Sequence, residues 1–373
     1  MRRPLSFVLL VCAACDRGAT PTRGSTAPTE APAASASASG ELVAAPSASA
    51  PPPRKPVDPR WLDPMAGHQT TKEGLLALFT IERPGKNPKV DGDAFVDKTF
   101  GPEAGKSNQG NIELSKHFIS KAKCLEGLEG MVLQTPEQRE LCGADYMVPF
   151  YKEGDVGKAK ACIDVFEFPN QPCELPFVWI GPTQAKQVCE LQGKRLCTQD
   201  EWMLACAGDP EGGPERKYSY GDELDLEACN TNKSAATYGP NCNPKTTATT
   251  WKTCATNTEP SGAFPRCRSR FGVFDMQGNV AEEMSRWDAA DGETKDQLKG
   301  SAFFYVDVAR DEFGRAPKGK PAIRPERMRG TYPDICRHDP RWHVEPMKRA
   351  WHVNYHLGFR CCKDVATKEG DAR

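Results

Sequence analysis

Sixteen cysteines, and the export signal that precedes most of them, constrain this chain more than any other feature. The N-terminus runs Met1-Arg2-Arg3, then an apolar stretch over residues 5–11, then Cys12-Ala13-Ala14-Cys15, which is the layout of a secretion signal. That stretch is too short to span a bilayer as a mature helix. Small residues directly before Cys15 make a lipobox, although Cys12 stands where leucine is usual; an ordinary signal peptide cut near Ala14 is the other reading. Both export the chain, and the first anchors it through an acylated Cys15, in the periplasm or on the cell surface. With Cys12 lost in the signal and Cys15 given to lipid, fourteen cysteines remain. An even number in an exported chain predicts disulfides rather than free thiols, and those fourteen contain no CxxC pair that would suggest a zinc ribbon.

No other apolar segment approaches membrane-spanning length, so membrane attachment falls to Cys15, where each buried acyl methylene contributes roughly 0.8 kcal/mol. A net charge of -1 and a pI near 6.6 give no electrostatic case for nucleic acid. Residues 16–60 are built from Ala, Ser, Pro, Thr and Gly and read as a disordered linker. At roughly 5 to 6 Å times the square root of its length, it reaches about 35 to 40 Å from the lipid. Residues 61–120 form an extension whose one plausible apolar patch is 75–81. Residues 121–365 are long enough for one sizeable core.

Within that part, residues 161–168 partly alternate apolar and polar side chains and predict a half-buried strand ended by Pro169-Asn170. A helix is expected over 183–191, stopped by Gly193. Thr198-Gln199-Asp200-Glu201 is a capping box, opening a helix that buries Trp202, Ala205 and Cys206 and ends at Gly208. Beyond Gly208 the chain is rich in Asn, Thr, Pro, Gly and Lys, with only short regular signals such as residues 300–306. Long irregular segments need restraint from disulfides or ions. The expected class is α+β, with few helices, short strands and much loop.

Three motifs then carry a resemblance. Gly193-Lys194-Arg195-Leu196-Cys197-Thr198-Gln199-Asp200-Glu201-Trp202 is similar to the GKRLPTEAEW signature of the formylglycine-generating enzyme (sulfatase-modifying factor) family. Phe271-Gly272-Val273-Phe274-Asp275-Met276-Gln277-Gly278-Asn279-Val280-Ala281-Glu282 resembles its GLYDMxGNVWEW segment, and Leu357-Gly358-Phe359-Arg360-Cys361 its closing GFRC. Ile163-Asp164-Val165-Phe166-Glu167 and Arg329-Gly330-Thr331-Tyr332 are weaker matches to its IDxxEVTN strand and RGGSW turn. The resemblance implies a C-type-lectin-like core. It also implies an oxidase that holds copper(I) between two cysteines in the loop before GFR, because soft thiolates suit that ion. Here Cys336 is the only cysteine between Arg329 and Phe359, Arg341 occupies the place of its partner, and the tryptophan of NVWEW is Ala281. A related branch makes carbon-sulfur bonds with nonheme iron held by histidines of an attached helical domain, whereas the extension here has only His68 and His117. Copper or iron is therefore not expected from either pattern.

The resemblance implies structural calcium at Asp275, Gly278, Val280 and Glu282, a mixed side-chain and backbone oxygen set of the kind that ion requires. Cys336, His338, His343, His352 and His356 offer thiolate and imidazole in one loop, the alternative being histidines that flank buried Trp342 and Trp351. The family's own pairings imply disulfides Cys189–Cys361 and Cys206–Cys336. Because adjacent strand residues point to opposite faces, Cys361 and Cys362 should reach different partners, with Cys162 the mate expected for Cys362. The chain is expected to be a non-catalytic, membrane-anchored binding or scaffold module for a protein, peptide or glycan. The alternative is a metal-dependent oxidoreductase acting on a thiol or sulfur substrate, with Cys336 as its candidate catalytic group.

Overall fold

The computed structural model describes residues 115, 117–152, 154–231, 256–303, 335–338, 344–350 and 353–365. The signal, the linker, the extension up to residue 114, Cys242, Cys254, residues 329–332, Arg341, Trp342, His343, Trp351 and His352 lie outside them. Helix α1 (Lys121–Leu128) starts at Ser120, whose hydroxyl accepts from the Lys123 N–H. Helix α2 (Pro136–Cys142) opens on a capping box between Thr135 and Gln138 with proline in its first turn, and closes on Gly143 at φ 59°. Strands β1 (Met147–Phe150) and β2 (Ala161–Asp164) follow, then α3 (Pro182–Leu191), β3 (Arg195–Leu196) and α4 (Gln199–Ala207). The expected box at Thr198 and Glu201 forms at the start of α4 and Gly208 caps its end. Strands β4 (Ala281–Asp288), β5 (Glu293–Lys299), β6 (Leu357–Gly358) and β7 (Cys361–Asp364) complete the order.

One sheet has the order β1-β2-β7-β3 with every pair antiparallel; the other runs β5-β4-β6, with β6 parallel to β4. Trp202, Phe166 and Phe274 sit in the largest apolar cluster, and Phe168, Phe177 and Phe359 in a second, where Phe168 and Phe359 stack at 4.8 Å. The α+β, loop-rich, disulfide-stapled class expected from the sequence is the one formed.

Two local expectations are corrected. The strand is shorter than residues 161–168, and the whole segment is buried rather than half-buried. Strand β2 lies between β1 and β7, with Ile163 in the main core on one face and Cys162 packed with Cys142 and Met147 on the other. Beyond Gly208, the β4–β5 hairpin was not anticipated. It is a ladder of seven pairs from Glu282↔Lys299 to Asp288↔Glu293.

All twelve cysteines among the described residues are paired. Cys189–Cys361 and Cys206–Cys336 form as expected. Cys162 does not bond Cys362, however: Cys142–Cys162 and Cys197–Cys362 form instead, beside Cys124–Cys173 and Cys229–Cys267. Register explains the correction. Ile163 stands opposite Cys362, so Cys162, one residue earlier, points to the other face, where α2 supplies Cys142. Arg195 is opposite Cys362 on the β3 side, which puts Cys197, two residues on, on the face of Cys362.

Candidate functional site

The motif residues meet at one buried polar spine. Arg360, fully buried, donates to both oxygens of Glu282 at 2.7 and 2.6 Å and to the carbonyls of Asp164 and Phe274. The Trp202 indole N–H donates to the same carboxylate at 2.9 Å, tying α4 to β4. Glu167 accepts from the Ser261 hydroxyl, the Asn279 amide and the Val280 N–H. Asp164 accepts from Lys194 at 2.6 Å, from Asn170 and from the Cys361 N–H. Arg195 spans Glu201 and Asp364. Each charged residue of the GKR and GFR motifs is thus spent on holding strands and helices together. Buried charges persist only when paired and hydrogen-bonded in this way.

Glu167, Asp275 and Glu282 put three buried carboxylates around one guanidinium. Burial drives the Asp275 carboxyl up to about 7, against the Gly262 N–H and Arg360 that favour its charge. Burial pushes Glu167 upward too, reinforced by its two acidic neighbours. The segment is held tightly: Asp275 and Asn279 have φ of 55° and 56°, and a Cβ on Gly278 would come within 2.6 Å of the Asn230 carbonyl oxygen. The three carboxylates outnumber the one guanidinium among them, and Asp275 accepts a hydrogen bond from the Gly262 N–H. Glu282 leaves the expected calcium set, because Arg360 takes both its oxygens and Trp202 one of them.

The late loop meets the spine at Cys336, fully buried and bonded to Cys206 of α4. The Gln277 amide nitrogen lies 2.9 Å from the Cys206 sulfur and 3.4 Å from that of Cys336. A half-cystine has no thiolate, so Cys336 is neither the candidate nucleophile nor a ligand of the Cys336, His338, His343, His352 and His356 set. The His338 carbonyl accepts from the buried Lys299 ammonium at 2.6 Å, and His356 packs edge-on against Tyr355. His343 and His352 lie outside the described residues. Among those residues no three His, Cys, Asp or Glu side chains are grouped to hold a metal ion.

Residues 137–365, more than half of the chain, match the family described as Sulfatase-modifying factor enzyme 1-like domain. The chain belongs to that family. It is 26% identical over 141 residues to a Bos taurus protein named inactive C-alpha-formylglycine-generating enzyme 2, an overlap of 38% of this chain and 42% of that one. The chain therefore spans less than half the length of the curated relative it matches. A crystal structure of a protein called CarF covers 59% of this chain and 94% of its own at 12% identity and a TM-score of 0.33, too distant to bear on the site.

Several residues of this sulfatase-modifying-factor domain went unread in the sequence. Glu167 and Arg360 lay inside quoted motifs without a role, and Lys299 carried no signal. Glu283 and Asp296, both buried, face each other diagonally across the β4–β5 hairpin, and neither Glu283 oxygen has a hydrogen-bond partner among the described residues. Burial raises both, Asp296 to about 7.

Proposed function

We propose that this chain is an exported, membrane-anchored member of the sulfatase-modifying factor family that binds a protein, peptide or glycan rather than transforming it. The observation that carries this reading is the buried Cys206–Cys336 disulfide. It occupies the one cysteine of the loop where the family's oxidase needs two thiolates to hold copper(I). The structural use of the motif charges supports the same reading, and the curated relative's own name describes that protein as inactive. Calcium belongs to this reading as a structural ion held by Asp275 and the carbonyls of Gly278 and Val280, where it would offset buried negative charge.

Attachment rests on Cys15 at the end of the export signal. Among the described residues no helix is long and apolar enough to cross a membrane. Cys15→Ser is expected to move the protein from the membrane pellet to the soluble fraction on ultracentrifugation, because the acyl chains supply the binding. Unchanged pelleting of the variant would remove the anchor from the account.

A further inference from the structure

The β4–β5 hairpin buries two acids that the spine does not use. Glu283 stands opposite Leu298 and Ser285 opposite Asp296, so the two carboxyls are diagonal neighbours on one face of the ladder, within reach of each other. Glu283 is fully buried and Asp296 is 2% exposed. Neither Glu283 oxygen nor the Asp296 Oδ1 has a hydrogen-bond partner among the described residues. The nearby cations are engaged elsewhere: Lys295 with Asp288 and Asp291, Arg286 with Gln297, Lys299 with the His338 carbonyl, Lys348 with Glu293, and Lys186 of α3 with Glu190. With Ala281 in the place of the first tryptophan of NVWEW, Glu283 falls in the place of the second, so a carboxyl stands where that motif has an apolar ring.

Residues 344–350 run as a strap along β5, the edge strand of its sheet. The Asp296 N–H donates to the Glu345 carbonyl at 2.8 Å and the Met347 N–H to the Thr294 carbonyl at 2.9 Å. The Thr183 hydroxyl of α3 donates to the carbonyls of Met347 and Ala350 at 2.8 and 3.1 Å, and Met347 packs in the second apolar cluster. Glu345 is exposed, and among the described residues it is the one charged group besides the pair itself that acts on Asp296. The strap is therefore tied to the very residue that carries half of the unpaired charge.

We infer that Glu283 and Asp296 form a proton-held latch: with one proton between them the 344–350 strap lies closed on β5, and with both ionised Glu345 is repelled and the strap lifts. A shared proton leaves a single negative charge and turns one carboxyl into a donor for the other. Two charges side by side in a dry site have nothing to offset them, and lifting the strap lets water reach Asp296. Burial raises both groups, Asp296 to about 7, so the closed form is fully favoured below the carboxyl's ordinary range and weakens as pH rises through about 7.

Hydrogen exchange of the full, disulfide-intact chain tests this, read by mass spectrometry at pH 6 and pH 8 and divided by the intrinsic rate at each pH. Fragments spanning residues 344–350 are expected to lose about tenfold in protection between the two, since pH 8 lies one unit beyond the Asp296 value of about 7. At pH 8 they should exchange ahead of fragments from α4, because the strap opens while the core stays folded. Glu345→Gln changes an exposed side chain and should remove part of the loss by discharging the repelled group. Glu283→Gln combined with Asp296→Asn should leave the strap equally protected at both pH values. Protection that does not change with pH, a loss that survives the double variant, or a strap no less protected than α4 at pH 8 would each overturn the latch. So would a divalent metal bound stoichiometrically whose removal by a chelator opens the strap, since a cation rather than a proton would then hold the pair.

Discussion

Replacing Arg360 with methionine is expected to cost the domain on the order of 3–5 kcal/mol, because it leaves a buried carboxylate without its counter-charge. Here the loss is compounded: Glu167 and Asp275 also draw on Arg360, which is fully buried and bonds both oxygens of Glu282. Urea unfolding of the disulfide-intact protein measures the effect. Arg360→Lys should recover only part of it, since an ammonium cannot make the two parallel bonds of the guanidinium. The double variant Arg360→Met, Glu282→Leu should be more stable than Arg360→Met alone, because removing both partners is far cheaper than stranding one. An unchanged unfolding midpoint in Arg360→Met would show that the spine does not hold the fold.

Stability is also expected to fall as pH rises from about 5 to 8. Burial raises the folded-state pKa of both Asp275 and Asp296 from 3.8 to about 7. The unfolded chain, whose carboxyls titrate near 4, binds fewer protons than the folded one across that window. The stabilisation is therefore complete below the unfolded pKa and is lost as pH climbs through the folded one. Three pH units correspond to an upper bound of about 4 kcal/mol for each group, so a drop of a few kcal/mol is the expected scale. Glu167 and Glu283, also pushed upward by burial, act in the same direction. Thermal melting at pH 5 and pH 8 reads the effect, and Asp296→Asn should flatten the part that comes from the hairpin pair. At pH 8, calcium should restore part of the loss by taking the place of protons at Asp275, and a chelator should reverse it. A melting temperature that rises toward pH 8 contradicts the charge balance described for the spine and the hairpin.

What could be read in the sequence follows from how local the signal was. The box at Thr198 and Glu201 and the helix after it depend on residues three or four apart, and they form as read. The β4–β5 hairpin does not announce itself, because Glu282, Glu283, Asp296 and Lys299 are charged in the sequence and buried in the fold. A strand whose inward positions carry charges loses the alternation by which strands are recognised. Arg360 stood in a quoted motif, but its role depends on Glu282, 78 positions away, and no local pattern reports such a pairing. The Cys162 pairing failed for a different reason. Which face a cysteine occupies turns on a register shift of a single residue, and the sequence does not specify that register.

The central claim is that the loop which carries a thiol pair in the family's oxidase carries a structural half-cystine here. Peptide mapping of the non-reduced protein, alkylated before digestion, tests it most directly. A fragment joining Cys336 to Cys206, with no alkylated Cys336, is the expected result. Recovery of Cys336 as a free, alkylated thiol would contradict it and return the loop to the candidates for catalysis.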